Sequence, residues 1–494
     1  MVLRRLKPAT WQGSEADLAE RLTPDLCVIG AGAGGLAAVE AARALGASVV
    51  LVERGEMGGN ALNTGAVPAR AFGVAAERAH QLRTAARFGI TADSPKVSFR
   101  RVHDHVDQVV AGLSPHNGLA RYEALGAEII KGEAHFTDKS TLVVDDVEIR
   151  ARRFIIATGG RPTVPQIPGL DAVPYFTSDT ILDNTRKLTH LVIIGGTPRA
   201  IELAQAYCRL GTEVTVVAAG DMLPGFDREL VDVTLRRLGE EGVKLHDHTE
   251  VAAIQARSMG IGVVIRSGDT ERPLDVSHIL VATERVPELA ALDLDKAGVK
   301  MDKTDPARLQ LKGLVTSNRR ILAIGDAAAV DQSVHAAMRD AQIAVRHALL
   351  GLSAQRAARL VPRLVETDPA IAEIGLNEAE ARRCHGIGFR VSRWSFAEND
   401  KARIEGDTDG FAKLITDGFG RILGAAIAGP GAGETAAIFA LAIANGLTMR
   451  HLLRFVAPYP SKAEIVSRLG TEYLRHEKDN PLLRYWMALV RLLG

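Results

Sequence analysis

The chain has 494 residues, of which 47% are hydrophobic and 24% are charged, and this length predicts several domains with sizeable cores. Its 60 Lys+Arg and 59 Asp+Glu leave a net charge of +1, so no overall field attracts nucleic acid and no nucleic-acid partner is expected. Three widely spaced cysteines exclude a disulfide framework. No apolar run is long enough to span a membrane or to form a secretory signal, so we expect a cytoplasmic protein.

A strand, a glycine-rich turn, a helix and a second strand follow one another from Asp25 to Glu53. Gly30 suits the tight turn, Gly32 lets a pyrophosphate approach the backbone, and Gly35 lets the helix pack closely. Glu53 ends the second strand, where a carboxylate accepts hydrogen bonds from ribose hydroxyls. This order predicts a dinucleotide-binding unit with its pyrophosphate at a helix N-terminus.

A second unit of the same kind follows near Thr189. We predict a strand at 191–194, a turn that contains Gly195 and Gly196, a helix at 201–210 and a strand at 213–217. Thr197 stands at the middle glycine position, and Ala218 stands where the ribose carboxylate belongs. A β-branched side chain at that turn argues against binding of a diphosphate, whereas Arg199 could supply a new phosphate contact.

The later part of the chain changes character. A strand at 321–326 ends in Gly325 and Asp326 and leads into a helix that reaches Leu350. From about residue 356, β-like runs at 411–416 and 422–428 alternate with helices, which predicts an α+β domain. Residues 481–494 form an amphipathic helical candidate, which could pack on the protein or attach peripherally to a membrane or partner.

Several motifs occur in the order typical of one enzyme family. Residues 58–70 read GGNALNTGAVPAR, which is similar to that family's G-G-T-C-x-N-x-G-C-x-P-x-K. Further matches are Ala157-Thr158-Gly159, Gly325-Asp326, Thr367-Asp368-Pro369, Gly375-Leu376 and Pro458-Tyr459-Pro460 through Glu464. The chain therefore resembles the class I pyridine nucleotide-disulfide oxidoreductases, such as mercuric reductase, dihydrolipoamide dehydrogenase and glutathione reductase.

The resemblance implies an α/β fold of two Rossmann-like dinucleotide-binding domains and a C-terminal α+β dimerisation domain. The expected divisions are an FAD-binding domain (1–160), an NAD(P)-binding-like domain (161–290), a central segment (291–355), a dimerisation domain (356–478) and a final helix (479–494). The residues expected to bind FAD are Gly30, Gly32, Gly35, Glu53, Gly59, Ala134, Thr158, Gly159 and Asp326. The residues expected at an NAD(P) site are Gly195, Gly196 and Arg199. The resemblance also implies a homodimer.

Both cysteine positions of the family motif hold alanine, at Ala61 and Ala66. Alanine has no thiolate, so a dithiol relay between the flavin and a disulfide substrate is excluded at this motif. Cys27 lies in a predicted strand and Cys208 in a predicted helix, and both are interpreted as buried small hydrophobes. The sequence therefore predicts a flavoprotein without the family's disulfide chemistry.

Four residues are the catalytic candidates. Arg70 replaces the family's lysine beside the flavin, and we expect it to form an ion pair with Glu202, with their charged groups within about 6 Å. Tyr459 takes the place of the proton-transferring histidine, and Glu464 keeps the acid. Tyr459 could donate a proton to a bound acceptor or simply pack at the dimer interface, and both interpretations stay open.

Two further features bear on whether the chain binds an NAD(P)H donor and whether it binds a metal ion. Glu284 replaces the glycine that ends the Ala-Thr-Gly motif in the second unit, and its charge would repel a phosphate, so NAD(P)H binding stays an open question. His103, Asp104 and His105 are interpreted as a solvated helix face, and no metal site is expected.

Two functions remain. The first is an NAD(P)H oxidoreductase that passes electrons from FAD directly to a quinone, a dye, oxygen or another small acceptor. The second is a dimeric scaffold with structural FAD and a degenerate NAD(P) site. The changes at Arg70, Thr197, Ala218 and Glu284 accompany the alanines, which favours natural divergence over deliberate replacement of the cysteines.

Overall fold

The computed structural model describes residues 20–91, 93–329, 332–356, 360–477 and 481–493. The first part of the chain builds a parallel sheet and an adjoining small sheet. Its strands are β1 (Glu20–Leu22), β2 (Leu26–Ile29), β3 (Val49–Glu53), β4 (Glu128–Lys131), β5 (Ala134–Phe136), β6 (Leu142–Val144), β7 (Val147–Ile149), β8 (Arg153–Ile156) and β9 (Gly160–Pro162). Its helices are α1 (Ala33–Ala44), α2 (Gly59–Asn63), α3 (Ala66–Thr84), α4 (Phe99–Asn117) and α5 (Leu119–Ala124).

The second part repeats this alternation. Its strands are β10 (Phe176–Thr177), β11 (His190–Ile194), β12 (Glu213–Val217), β13 (Lys244–His246), β14 (Glu250–Ala256), β15 (Ile261–Ser267), β16 (Thr270–Val276), β17 (His278–Val281) and β18 (Arg285–Pro287). Its helices are α6 (Pro198–Arg209) and α7 (Arg228–Glu240). The parallel order is β10-β17-β11-β12-β13, while β14, β15 and β16 form an antiparallel meander and β18 pairs antiparallel with β9.

The chain then returns to the first sheet. Strand β19 (Ile321–Ala323) pairs parallel with β8, which completes the order β19-β8-β2-β3-β4. Helix α8 (Val334–Leu350) packs along α1. All four residues of β2 are buried apolar side chains, as expected for a strand covered on both faces.

The third part is an antiparallel sheet with helices, in the strand order β20-β21-β24-β23-β22. Its strands are β20 (Arg363–Val365), β21 (Ala370–Gly375), β22 (Phe389–Ser395), β23 (Phe411–Asp417) and β24 (Ile422–Gly429). Its helices are α9 (Glu378–His385), α10 (Asp400–Glu405), α11 (Ala432–Ala444), α12 (Met449–Leu452) and α13 (Glu464–Glu477), and α14 (Pro481–Leu492) follows.

A buried polar cluster joins the second and third parts. Arg209, at the end of α6, lies 2.5 Å from Glu241 and 2.8 Å from Asp368, and its side chain is almost fully buried. Gln205 on the same helix donates to the Asp368 carbonyl and accepts from the Asp368 amide. The Thr-Asp-Pro motif therefore docks the third part onto α6.

The predicted fold class is confirmed: two parallel-sheet α/β units precede an antiparallel α+β part. Local bounds differ slightly from expectation. The second-unit helix, expected from residue 201, begins at Pro198 because Thr197 caps it. The domain boundaries expected from the sequence stay predictions.

Candidate functional site

The turn between β2 and α1 is built for close approach of a ligand. Gly30 has φ +104°, and a Cβ there would lie 2.5 Å from the Ala157 carbonyl oxygen. A Cβ on Gly35 would lie 1.9 Å from the Gly30 carbonyl oxygen. At Gly32, in contrast, no atom lies within 4 Å of a Cβ position, and no side chain caps α1. The N-terminal amides of α1 therefore face open space, as a pyrophosphate requires.

Glu53 lies beside this turn at the end of β3. Its carboxylate accepts hydrogen bonds from the amides of Ala31 (2.5 Å) and Gly55 (2.7 Å). The Glu53 carbonyl accepts from Gly132, which holds the approach to Ala134 in β5 close to the turn. These bonds fix the carboxylate where the ribose of a dinucleotide is expected.

Polar groups at the ends of β8 and β19 complete the expected cofactor site. The Thr158 hydroxyl is buried and has no hydrogen-bond partner in the protein. Gly159 follows with φ +73°, and Asp326 lies in the turn after β19. A buried hydroxyl without a protein partner fits a polar ligand that supplies one. The open turn and the buried hydroxyl of the first unit are thus compatible with a dinucleotide such as FAD.

A network beside Asp326 was not found from the sequence. Arg285 lies 3.5 Å from Asp326 and 2.6 Å from Asp179. Asp179 also accepts from the Asn60 amide (3.1 Å), and Asn60 belongs to α2. Asn60 and Asp326 belong to the motifs, but Asp179 and Arg285 belong to none, so only the folded chain reveals that α2, the strand β18 and the Asp326 turn are tied together.

Ala61 lies on α2 and Ala66 begins α3. Gly59, at the start of α2, packs against Gly32, since a Cβ on Gly59 would lie 2.8 Å from the Gly32 Cα. The two alanines therefore occupy the helices that begin beside the diphosphate turn. Both are partly exposed.

The three cysteines lie elsewhere, and none of them forms a disulfide. Cys27 is fully buried in β2, and burial raises the pKa of its thiol. Burial also raises the pKa of Cys208, whose thiol donates to the Glu241 carbonyl (3.2 Å). Cys384 is exposed on α9. Cys27 and Cys208 are therefore poor thiolate nucleophiles at neutral pH. Cys27 is buried as expected, whereas Cys208 is only partly buried.

Arg70 and Glu202 are not in direct contact, although the charge of Glu202 contributes to raising the pKa of Arg70, so their expected pairing within about 6 Å stays a prediction. Arg70 lies 2.6 Å from Glu77 and 2.8 Å from Glu366, while Glu202 lies 3.2 Å from Arg199. Glu77 lies seven residues further along α3, or about two helical turns, and Glu366 comes from the third part of the chain. Arg70 thus directly contacts two carboxylates that no motif predicted.

The charges of this cluster shift its pKa values. Burial lowers the pKa of the Arg70 guanidinium, but Glu77 and Glu366 outweigh burial and the net shift is upward. Burial raises the pKa of Glu366; Arg70 opposes this, and the nearby charges of Glu202, Glu434 and Glu77 add to it. Glu366 is therefore the carboxyl of this cluster that takes up a proton more readily than an ordinary glutamate.

Glu202 instead holds the third part of the chain. Its carboxylate accepts a hydrogen bond from the Glu366 amide (2.9 Å), at the end of β20. The ion pair with Arg199 occupies the arginine that was expected to meet a phosphate. Glu202 therefore clamps α6 to the strand that carries Glu366.

In the turn of the second unit, the polar groups are hydrogen-bonded to other groups of the protein. Thr197 donates to the Ala282 carbonyl (2.8 Å) and accepts from the Ala200 amide (3.3 Å). Gly195 keeps φ +128°, and the Gly196 carbonyl accepts from Leu223 (2.7 Å). The hydroxyl of Thr197 thus acts as a helix cap in place of a bare glycine backbone.

Beyond this turn, Ala218 is buried at the end of β12 and offers no carboxylate. The Thr283 hydroxyl donates to the Thr163 carbonyl (2.7 Å), and Glu284 is exposed. Binding of NAD(P)H at Gly195, Gly196 and Arg199 stays a prediction.

Tyr459 and Glu464 lie on the third part of the chain. The Tyr459 hydroxyl donates to Asp400 (3.0 Å), and its side chain is 75% exposed. The hydrogen bond to Asp400 raises the pKa of Tyr459, so the phenol stays protonated at neutral pH. Glu464 begins α13 and lies 2.6 Å from Arg468. The two are not hydrogen-bonded to each other as a dyad; their catalytic roles stay predictions.

His103 lies on α4 and pairs with Asp107 (3.1 Å) on the same helix. Among the residues that the structure describes, no three metal-binding side chains converge. None of the described helices is both long and apolar enough to cross a membrane.

Comparisons with known proteins agree with this geometry. The family profile described as pyridine nucleotide-disulphide oxidoreductase matches residues 24–348, and its dimerisation domain matches residues 361–469. A mercuric reductase of Streptomyces lividans is 34% identical over 447 residues, covering 89% of this chain and 94% of that protein. A dihydrolipoyl dehydrogenase of Thermus scotoductus is 33% identical over 454 residues, covering 90% and 95%.

Among solved structures, the HOCl-induced flavoprotein disulfide reductase RclA from Escherichia coli superposes with a TM-score of 0.78 at 27% identity, covering 90% of this chain and 99% of that one. LpdA from Mycobacterium tuberculosis shares the fold, with a TM-score of 0.83 at 24% identity over 92% of this chain and 99% of that one. The dimerisation domain supports a homodimer, and the family is FAD-dependent. The chain is an oxidoreductase by family and belongs to the pyridine nucleotide-disulphide oxidoreductases.

Proposed function

We propose that this flavoprotein transfers two electrons from NAD(P)H to a small acceptor such as a quinone, without a dithiol step. The observation that carries the proposal is the pair Ala61 and Ala66 on the helices that begin beside the FAD turn, with every cysteine placed elsewhere. The balanced reaction is NAD(P)H, a proton and a quinone giving NAD(P)⁺ and a quinol. Alanine cannot form a disulfide or a thiolate, so the acceptor must meet the flavin directly.

The bound FAD would supply the capacity to accept and release electron pairs, and the protein would supply binding, charge and protons. Arg70 keeps a fixed positive charge near the expected flavin edge, since guanidinium does not deprotonate at neutral pH. Glu366 lies 2.8 Å from Arg70 and has a raised pKa, so it is the group that can hold and return a proton there.

On the dimerisation domain, Tyr459 is exposed and its hydroxyl is a hydrogen-bond donor held by Asp400. In a homodimer it would face the acceptor bound at the other subunit and orient that molecule. Glu464, held by Arg468, would keep negative charge nearby. Neither group is needed for electron transfer itself, so both are proposed as orienting residues.

A second candidate is a dimeric scaffold with structural FAD. The observation that favours it is the second unit, where Thr197 and Thr283 already spend their hydroxyls on protein carbonyls and Ala218 replaces a carboxylate. A reductase needs a donor site, whereas a scaffold does not.

We also propose a cytoplasmic location, where NAD(P)H is available, and a peripheral contact through α14. A membrane-dissolved acceptor would require the enzyme to reside at a membrane surface.

The test is an anaerobic titration of purified holoprotein with NADH and with NADPH. The proposal predicts loss of the visible flavin absorbance, followed by reoxidation with a soluble quinone but not with lipoamide or glutathione disulfide. The double variant Ala61→Ser/Ala66→Ser is the matched control and should keep the quinone rate within about twofold, since no thiol is lost. No bleaching at saturating donor would reject the reductase and favour the scaffold.

A further inference from the structure

Helix α14 presents an exposed apolar surface with a narrow basic strip. Five of its side chains are exposed large hydrophobics, and Leu493 directly after the helix is a sixth: Tyr485, Trp486, Met487, Val490, Leu492 and Leu493. Arg484 and Arg491 are seven residues apart, which places them on the same side of the helix. The rest of the circumference is apolar or aromatic. Exposed apolar and aromatic side chains with arginines on one side are compatible with a helix that lies in a membrane interface.

The charges of this segment are of one sign. Residues 481–494 contain two arginines and no aspartate or glutamate. Such a strip is complementary to phosphate groups, whereas a second protein surface would have to supply its own acids. Trp486 and Tyr485 add ring systems that favour the boundary between headgroups and acyl chains.

The dimensions exclude spanning and fit lying flat. The helix has 12 residues, or about 18 Å at about 1.5 Å per residue, against a hydrocarbon core of about 30 Å.

From these observations we propose that α14 is a peripheral membrane anchor that binds the surface of an anionic phospholipid bilayer. Its apolar side enters the acyl boundary, and Arg484 and Arg491 contact lipid phosphates. The contact deepens the proposed function by naming the partner of this helix, but it does not depend on electron transfer.

The experiment is sedimentation of the full-length holoprotein with vesicles, with no donor or acceptor present. Vesicles of phosphatidylcholine with about 30% phosphatidylglycerol should bind the protein at least tenfold more strongly than phosphatidylcholine alone, and salt near 0.5 M should weaken binding. Tryptophan emission should shift to shorter wavelength in the wild type, and this shift should be absent in Trp486→Phe.

Two double variants distinguish binding through α14 from non-specific adsorption of exposed apolar side chains. Trp486→Ser/Leu493→Ser should lose at least tenfold in vesicle binding. The matched control Met259→Ser/Ile387→Ser removes two exposed apolar side chains, 90% and 100% exposed, from other surfaces and should bind as the wild type does. Arg484→Gln and Arg491→Gln should each cost about fivefold on anionic vesicles only.

Three outcomes overturn the proposal: no binding to anionic vesicles, equal binding by Trp486→Ser/Leu493→Ser, or a helix-dependent rise in oligomeric state without lipid, which would assign α14 to a second copy of the chain. Failure here leaves the flavin titration unaffected, so the two proposals fail separately.

Discussion

The two dinucleotide units of this protein share a backbone and differ in what they leave for a ligand. In both, the first glycine of the turn donates to the end of the following strand, at 2.7 Å from Gly30 to Val52 and 2.9 Å from Gly195 to Val217. Both glycines have positive φ, and a Cβ on either would collide with a carbonyl of the strand across the sheet. The two turns therefore share the same backbone hydrogen bond and the same close approach to a carbonyl group.

The polar groups around the two turns are used differently. Near the first turn the buried Thr158 hydroxyl has no protein partner, and the position of Gly32 is open. Near the second, the hydroxyls of Thr197 and Thr283 are bound to carbonyls of the same unit. A repeated fold thus teaches little about ligand capacity, which depends on whether the polar groups are already satisfied.

The largest expected effect comes from the third turn position. Gly35→Ala places a methyl group against the Gly30 carbonyl, so we expect FAD affinity to fall about tenfold or more. The matched change Ala200→Gly in the second unit should keep FAD and lower the free energy of unfolding by about 1 kcal/mol. Flavin absorbance after gel filtration measures FAD retention, and urea unfolding measures the free energy of unfolding. Equal FAD loss in both variants would contradict the assignment of FAD to the first unit.

The second prediction opens the closed turn. Thr197→Gly/Ala218→Glu removes the hydroxyl cap and supplies a carboxylate for ribose, so NADH affinity should rise about tenfold. Flavin bleaching at graded NADH measures it, and Thr197→Gly alone is the control with a smaller gain. If the double variant bound NADH no better than the wild type, the turn would not be what limits the donor.

The third prediction compares the two threonines. Thr158→Val should weaken FAD about fivefold while leaving the apoprotein as stable as before, because the hydroxyl has no protein partner to lose. Thr283→Val should instead lower the free energy of unfolding by about 1 kcal/mol and leave FAD affinity unchanged, since it breaks the bond to Thr163. Calorimetry measures the FAD affinity of each variant, and thermal melts measure its stability. If Thr158→Val lowered stability and Thr283→Val weakened FAD binding, the predicted difference between the two hydroxyls would be contradicted.

The smallest expected effect concerns Glu366. Its pKa is raised in the folded chain, mainly by burial, so the folded state binds a proton more tightly than the unfolded state. The stability of the wild type relative to Glu366→Gln should therefore fall as pH rises from the ordinary glutamate range through the raised pKa, by about 1 kcal/mol or less. Urea unfolding of both proteins between about pH 4 and 8 measures it. If the stability difference between the two proteins stayed constant or rose with pH, Glu366 would not be the group with the raised pKa.

The sequence predicted what local order can encode. The glycines of both turns, the acid at Glu53 and the strand before Asp326 follow from residue type and spacing, and each lies where the pattern indicated. The ion-pair partners of Arg70, in contrast, could not be predicted from the sequence. Its partner Glu77 lies seven residues further along the same helix, whereas its partner Glu366 follows β20 and meets Arg70 only in the folded chain.

The same limit applies to Asp179 and Arg285, which meet from separate connections and are tied to α2 through Asn60. It also applies to Thr197, which the sequence identified as a misfit in the turn but not as the cap of α6. Side chains that bridge distant segments are visible only once the chain is folded.

The position of Glu202 has a consequence for regulation. One carboxylate oxygen pairs with Arg199 and the other accepts from the Glu366 amide, so one side chain serves both the nucleotide turn and the dimerisation domain. A phosphate that captured Arg199 would free Glu202 to tighten or release its hold on β20. A change that broke either contact would therefore alter the other, because both contacts use oxygens of the same carboxylate.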